Sequence, residues 1–185
     1  MEIMHTILSA MWFFVPAYFA NMAPVFAAKI KWLDFLKKPV DNGYKLRNRS
    51  LLGKNKTWRG VFSGVAIGIA FAYLQRYLIR FSFFSSISIL DYSNMNLFFW
   101  GLLLSSGALI GDMIESLAKR QLDIKPGRPF FPFDQLDFTV FGLLFGFVMY
   151  IPGKEIIITL MIVNLAVHFL ANVIGYFLGI KEVWY

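Results

Sequence analysis

The chain has 185 residues, 58% of them hydrophobic and only 16% charged, which is too little charge for a water-soluble domain of this length. It has no cysteine and two histidines, His5 and His168, which excludes disulfides, cysteine metal sites and a histidine-based metal cluster. The formal net charge of +7 would suggest nucleic acid in a soluble chain, but the cations lie mostly between hydrophobic stretches. There they read as topology determinants and as lipid or phosphate contacts, and no nucleic-acid partner is expected.

A bilayer core takes about 20 mostly apolar residues in a helix. On that criterion the chain predicts one all-α membrane domain, 1–185, with five spans at about 6–28, 60–79, 96–114, 136–152 and 156–180. Glu2 stands where a signal peptide would be basic, and the first apolar stretch is long, so it reads as a retained transmembrane helix. The apolar stretch 81–90 is too short to cross and reads as an interfacial or external segment. Only Gly153, Lys154 and Glu155 separate the last two spans, predicting a tight hairpin.

The loop 29–59 carries ten Lys and Arg against Asp34 and Asp41, and the loop 115–135 carries Lys119, Arg120, Lys125 and Arg128. The second interspan loop has Arg80, with Arg76 just before it, and the hairpin has Lys154. By the positive-inside rule the first and third loops are cytoplasmic, the N-terminus outside and the C-terminus inside. The expected location is a cell membrane, multi-pass, with both functional loops facing the cytoplasm. Glycines four apart recur in spans two to five, as at Gly60, Gly64 and Gly68, and at Gly107 and Gly111. Such faces let helices approach closely, either within one chain or across a dimer seam, so oligomeric state is left open.

Three polar clusters interrupt this pattern. Just before span two, Lys54, Lys56, Thr57 and Arg59 lie between Gly53 and Gly60. Cations and free N–H groups at a helix start suit polyphosphate, although a membrane-anchoring basic patch has the same composition. The Gly-Lys-Ser/Thr ending of a P-loop is missing. At the end of span three, Asp112, Glu115, Ser116 and Lys119 fall at i, i+3, i+4 and i+7, one helical face. A carboxylate at membrane depth is costly and functional by default, the bland alternative being an Asp112–Ser116–Lys119 structural network. The third cluster is Lys125 to Pro129 followed by Asp134 and Asp137, three apart at the start of span four, where one of them could be a helix cap. Together the three carboxylates and a hydroxyl offer hard oxygen ligands for Mg²⁺, and the cations beside them can hold phosphates. That is equipment for phosphoryl or nucleotidyl transfer by direct attack of a substrate oxygen. In span five Asn164, His168 and Asn172 form a polar stripe that either lines a headgroup cavity or, the favoured reading, bonds across helices. Asn21, between Pro16 and Pro24, marks a kinked first span.

At these residues the sequence resembles the CTP-dependent lipid cytidylyltransferases. Lys56-Thr57-Trp58-Arg59-Gly60 is similar to the first family element, and Asp112, Ser116, Lys119, Arg120, Lys125, Asp134 and Asp137 to the second. Arg59 replaces the Glu of the bacterial and eukaryotic phosphatidate enzymes, Pro126 their Asp, and Pro129 to Phe133 their Pro-Gly-His-Gly-Gly. These departures, the shorter chain and the run from Pro16 to Val25 resemble the archaeal branch, the CDP-archaeol synthases. The resemblance implies transfer of CMP from CTP to an isoprenoid glycerol phosphate lipid, 2,3-di-O-geranylgeranylglyceryl phosphate. It implies Asp112, Asp134 and Asp137 as ligands of the metal, read above as Mg²⁺, and Ser116 and Lys119 as further catalytic residues; whether a second, monovalent cation joins Mg²⁺ is left open. Lys54, Lys56, Thr57, Arg59, Lys119, Arg120 and Lys125 would bind CTP or the lipid phosphate. A phosphatidate enzyme acting on ester lipids and a small cation transporter are the alternatives.

Overall fold

The computed structural model describes residues 2–46, 48–124 and 130–177, apart from the side chains of 171, 172, 174 and 175. Six α-helices, a short 3-10 turn and one small hairpin are the elements of the described chain. The α-helices and strands are α1 (Glu2–Ala27), β1 (Lys45–Leu46), β2 (Arg49–Ser50), α2 (Trp58–Leu78), α3 (Ser82–Ile87), α4 (Leu97–Gln121), α5 (Phe133–Gly146) and α6 (Lys154–Phe177). Of the described helices, α1, α2 and α4 are long and apolar enough to cross a membrane.

The helices begin where local chemistry allows. Thr57 caps α2, its hydroxyl accepting from the Gly60 N–H at 3.3 Å, and Asn96 caps α4 by accepting from the Phe99 N–H at 3.2 Å. α4 does not stop near residue 114 but continues to Gln121, so the first part of the stretch 115–135 is rigid helix. Nothing between Glu115 and Gln121 breaks a helix, and Lys119 and Arg120 suit its C-terminal end. α5 starts at Phe133 rather than 136 and ends at Gly146, a length of 14 residues or roughly 21 Å. Where a last span is expected from 156, α6 begins at Lys154, and residues 178–180 lie outside the described residues. The stretch 81–90 forms α3, whose Phe84 packs on Trp12 of α1 with ring centroids 4.8 Å apart.

α1 packs against α2, α4 and α6, and the core is built on it: Phe13, Phe14, Trp100, Leu104 and Leu160 are all nearly or fully buried. Glycine faces make two close seams. A Cβ on Gly64 of α2 would stand 2.8 Å from the Ala20 carbonyl of α1. A Cβ on Gly107 or Gly111 of α4 would overlap the backbone of α5 at Phe141 or Asp137. Both seams are within the chain, as small-residue faces permit.

The loop 29–59 is ordered in two ways. Residues Lys31–Leu36 form a 3-10 turn, and the following segment pairs with the start of α2: the Trp58 N–H donates to the Lys38 carbonyl at 3.0 Å and the Val40 N–H to the Lys56 carbonyl at 2.8 Å. Farther on, the Asp41 carboxylate accepts from the N–H groups of Gly43, Leu52 and Gly53 at 3.0, 2.8 and 3.3 Å, closing the β1–β2 hairpin at its base. Gly53 needs no Cβ there, since its φ is +86° and the Arg120 guanidinium lies 3.3 Å from where one would sit. Burial alone would raise the Asp41 pKa, but the three N–H donors outweigh it and hold the carboxyl below its ordinary value.

Candidate active site

Helix periodicity puts Asp112, Glu115, Ser116 and Lys119 on one face of α4, and the Gly107/Gly111 seam presses the start of α5 against that face. The result is a trio: carboxylate oxygens of Asp112, Glu115 and Asp137 lie within 4.8 Å of one another. Three acids so close need cations, and two lysines supply them. Lys56 Nζ reaches Asp112 at 2.5 Å, across 56 positions of sequence. Lys119 Nζ lies 2.5 Å from Glu115 and 3.4 Å from Asp134.

Asp134, expected with Asp112 and Asp137 as a metal ligand, is not one of the trio and shares Lys119 with Glu115. It accepts from the Phe130 N–H at 3.2 Å with one oxygen, while its Oδ1 is buried without a hydrogen-bond partner among the described residues. The sequence reading gave Glu115 no role of its own. The signal was present, since Glu115 lies three residues after Asp112 and four before Lys119. Ser116 is buried, its hydroxyl donating to Glu115 at 3.4 Å.

The first cluster meets this site from α2. Asn21, Pro24, Thr57, Gly60 and Asp112 line a cavity of about 770 Å³, and Lys37, Lys54, Lys56 and Arg59 supply its cations. The buried Arg59 is held by Asp34 at 2.7 Å, and Thr57 is the helix cap described above. Lys37 was missed from the sequence because only the pairing of residues 38–40 with 56–58 brings it there. Arg120 turns to the end of its own helix, donating to the Ile124 carbonyl at 3.3 Å, and packs on Gly53. Lys125 and Arg128 lie outside the described residues.

On α6, Asn164 bonds across helices: Tyr18 of α1 donates to its Oδ1 at 2.6 Å, and its Nδ2 donates to Thr139 of α5 at 2.8 Å. The side chain of Asn172 is among those not described.

The donor set fits a hard divalent cation, since the trio offers only carboxylate oxygens and these lie within 4.8 Å of one another. The adjoining cationic cavity fits phosphate.

A family model described as CarS-like, CDP-archaeol synthase, matches residues 3–185. The CDP-archaeol synthase of Methanococcus aeolicus is 36% identical over 190 residues, covering 100% of both chains. That of Methanocaldococcus jannaschii is 33% identical with 97% of each chain covered, and that of Thermococcus onnurineus 37% identical with 96% of each covered. A solved structure of an intramembrane enzyme for archaeal membrane lipids biosynthesis superposes with a TM-score of 0.71 at 33% identity, covering 90% of this chain and 94% of that one. With three apolar helices of spanning length, the chain is a membrane protein. By full-length sequence match and by shared fold, the chain belongs to the CDP-archaeol synthases, a family of nucleotidyltransferases.

Proposed function

We propose that this chain transfers CMP from CTP to the phosphate of an unsaturated archaeal ether lipid, 2,3-di-O-geranylgeranylglyceryl phosphate, releasing pyrophosphate and CDP-archaeol. The observation that carries the reading is the acid trio Asp112, Glu115 and Asp137, neutralised by Lys56 and Lys119 beside a cationic cavity. The names of its full-length relatives support the nucleotide and the lipid.

In the reaction an oxygen of the lipid phosphate attacks the α-phosphorus of CTP. A new O–P bond forms, and the bond to the bridging α–β oxygen breaks as pyrophosphate leaves. Asp112, Glu115 and Asp137 would hold Mg²⁺, which when bound neutralises charge on the phosphate oxygens. Asp134 shares Lys119 with Glu115 and would be a further metal ligand. Lys56 and Lys119 balance the acids, and Lys56, which also lines the cavity, would meet phosphate oxygens there. Lys37, Lys54 and Arg59 hold phosphate oxygens in the cavity, and Thr57 fixes the start of α2 so that Lys56 faces Asp112. Arg120 keeps the hairpin beside the site by packing on Gly53.

The domain is a five-span bundle with the N-terminus outside and the site facing the cytoplasm, supported by the ten cations in loop 29–59. The test is purified protein with CTP, dCTP or ATP against ether-linked and ester-linked lipid phosphates, with and without chelator. CDP-lipid should form from CTP and the ether lipid only with Mg²⁺. Asp137→Asn should lower turnover roughly 10²-fold or more while the protein still elutes as a folded species. Undiminished turnover in that variant would remove the metal assignment.

A further inference from the structure

The 3-10 turn Lys31–Leu36 does not belong to the catalytic constellation, yet it displays two large aromatics to the surroundings. Trp32 is 75% and Phe35 69% exposed. With three residues per turn, side chains three apart eclipse, so this turn has three distinct faces. Trp32 and Phe35 form one. Leu33 and Leu36, half-buried, form the face turned toward the protein. Lys31, Asp34 and Lys37 form the third, and Asp34 is already neutralised by Arg59 at 2.7 Å.

Its level relative to the membrane follows from the elements that hold it. α1 has 26 residues, about 39 Å of helix, more than the roughly 30 Å of a bilayer core, so its end at Ala27 reaches the headgroup layer. The turn begins four residues later. Arg59, which holds Asp34, is the second residue of α2, at the same end of the bundle. The outward apolar belt of α1 is continuous with it, since Val25 is 65% and Phe26 60% exposed. Trp58 adds a third aromatic at the start of α2. An aromatic pair at the headgroup level, bordered by exposed Lys29, Lys31 and Lys38, has the composition of an interfacial anchor for an anionic surface.

We propose that Lys31–Leu36 lies in the headgroup layer of the adjoining leaflet, with Trp32 and Phe35 inserted and the flanking lysines on anionic phospholipid headgroups. The anchor is tied to the site: residues 38–40 pair with 56–58, so the leaflet holds the strand that carries Lys56 toward Asp112. This rests on α1 and α2 being membrane spans and not on the chemistry proposed above.

The chain has no cysteine, so a single introduced one reports one position. Phe35→Cys carrying a nitroxide is reconstituted in vesicles of phosphatidylcholine, alone or mixed with phosphatidylglycerol. Collision with oxygen is compared with collision with a water-soluble nickel chelate. The label should favour oxygen at position 35, and at Trp32→Cys as an independent site, whereas Tyr44→Cys on the hairpin should favour the nickel chelate. Depth at position 35 should increase with phosphatidylglycerol, and K31Q/K38Q should remove that increase. Nickel accessibility at 35 equal to that at 44 would overturn the proposal. So would the same depth in both lipids, or dipolar broadening between labels, which would mean a second copy of the chain covers this face. None of these readings depends on catalysis.

Discussion

Lys56 and Asp112 show what a single pair does in this site. The two side chains are only partly exposed, at 22% and 31%, and their atoms meet at 2.5 Å. Removing one leaves the other charged and poorly solvated, which costs far more than the pair contributes. Lys56→Met is therefore expected to lower turnover roughly 10²-fold, measured as initial rate at saturating CTP. Lys56→Arg should recover only part of it, because a planar guanidinium does not replace a point charge at Asp112. Asp41 acts at the same scale but outside the site. Its carboxyl titrates below the ordinary value because three N–H groups hold the charged form against the effect of burial. A depressed pKa means its contribution is fully present above the unfolded value of about 3.9 and is lost as pH falls through the lower folded value. Protection of the Leu52 and Gly53 amides, taken as the exchange rate relative to the intrinsic rate at each pH, should thus stay high from neutral pH to about 4 and fall below it. Asp41→Asn should be poorly protected at every pH. High protection in that variant would show that the hairpin base does not depend on the charge.

At the scale of elements, the α4–α5 seam decides where the acids stand. A methyl at Gly111 would overlap the Asp137 carbonyl, so Gly111→Ala must push α5 away and spread Asp137 from Asp112 and Glu115. The overpacking is expected to cost about 1–3 kcal/mol, with turnover reduced disproportionately. Gly101→Ala is the comparison, because its Cβ would meet the Ile69 backbone of α2 at 2.6 Å, ten residues or about 15 Å along α4 from Gly111. It should destabilise to a similar degree but retain more turnover. Thermal unfolding in detergent together with kcat separates the two; equal kcat losses would mean the seam does not position the acids. Much of this element was legible. The i, i+3, i+4, i+7 spacing put Asp112, Glu115, Ser116 and Lys119 on one face because helical periodicity is local. The continuation of α4 to Gln121 and the start of α5 at Phe133 were not legible from hydropathy, because charged residues end an apolar stretch without ending a helix.

For the whole molecule, α1 is the element against which α2, α4 and α6 assemble while α5 packs on α4, and the Tyr18–Asn164–Thr139 chain ties α1, α6 and α5 together. Asn164 does not line the cationic cavity, so its substitution tests packing rather than chemistry. Asn164→Ala should lower thermal stability by roughly 1 kcal/mol, near the sum of two interhelical hydrogen bonds in a membrane protein. Its KM for CTP should remain that of the parent; a raised KM would assign Asn164 to the site instead. From its sequence alone the chain was determined to be a membrane protein with acidic and basic clusters at interspan segments, because hydropathy and helical spacing are read over neighbouring residues. Which charges meet was decided only by tertiary structure. Lys56 reaches Asp112, Lys119 stands between Glu115 and Asp134, and Lys37 enters the cavity through partners far away in the chain. These meetings depend on how closely two glycine-bearing helices approach and on one short strand pairing, and neither distance is encoded in the spacing along a single helix.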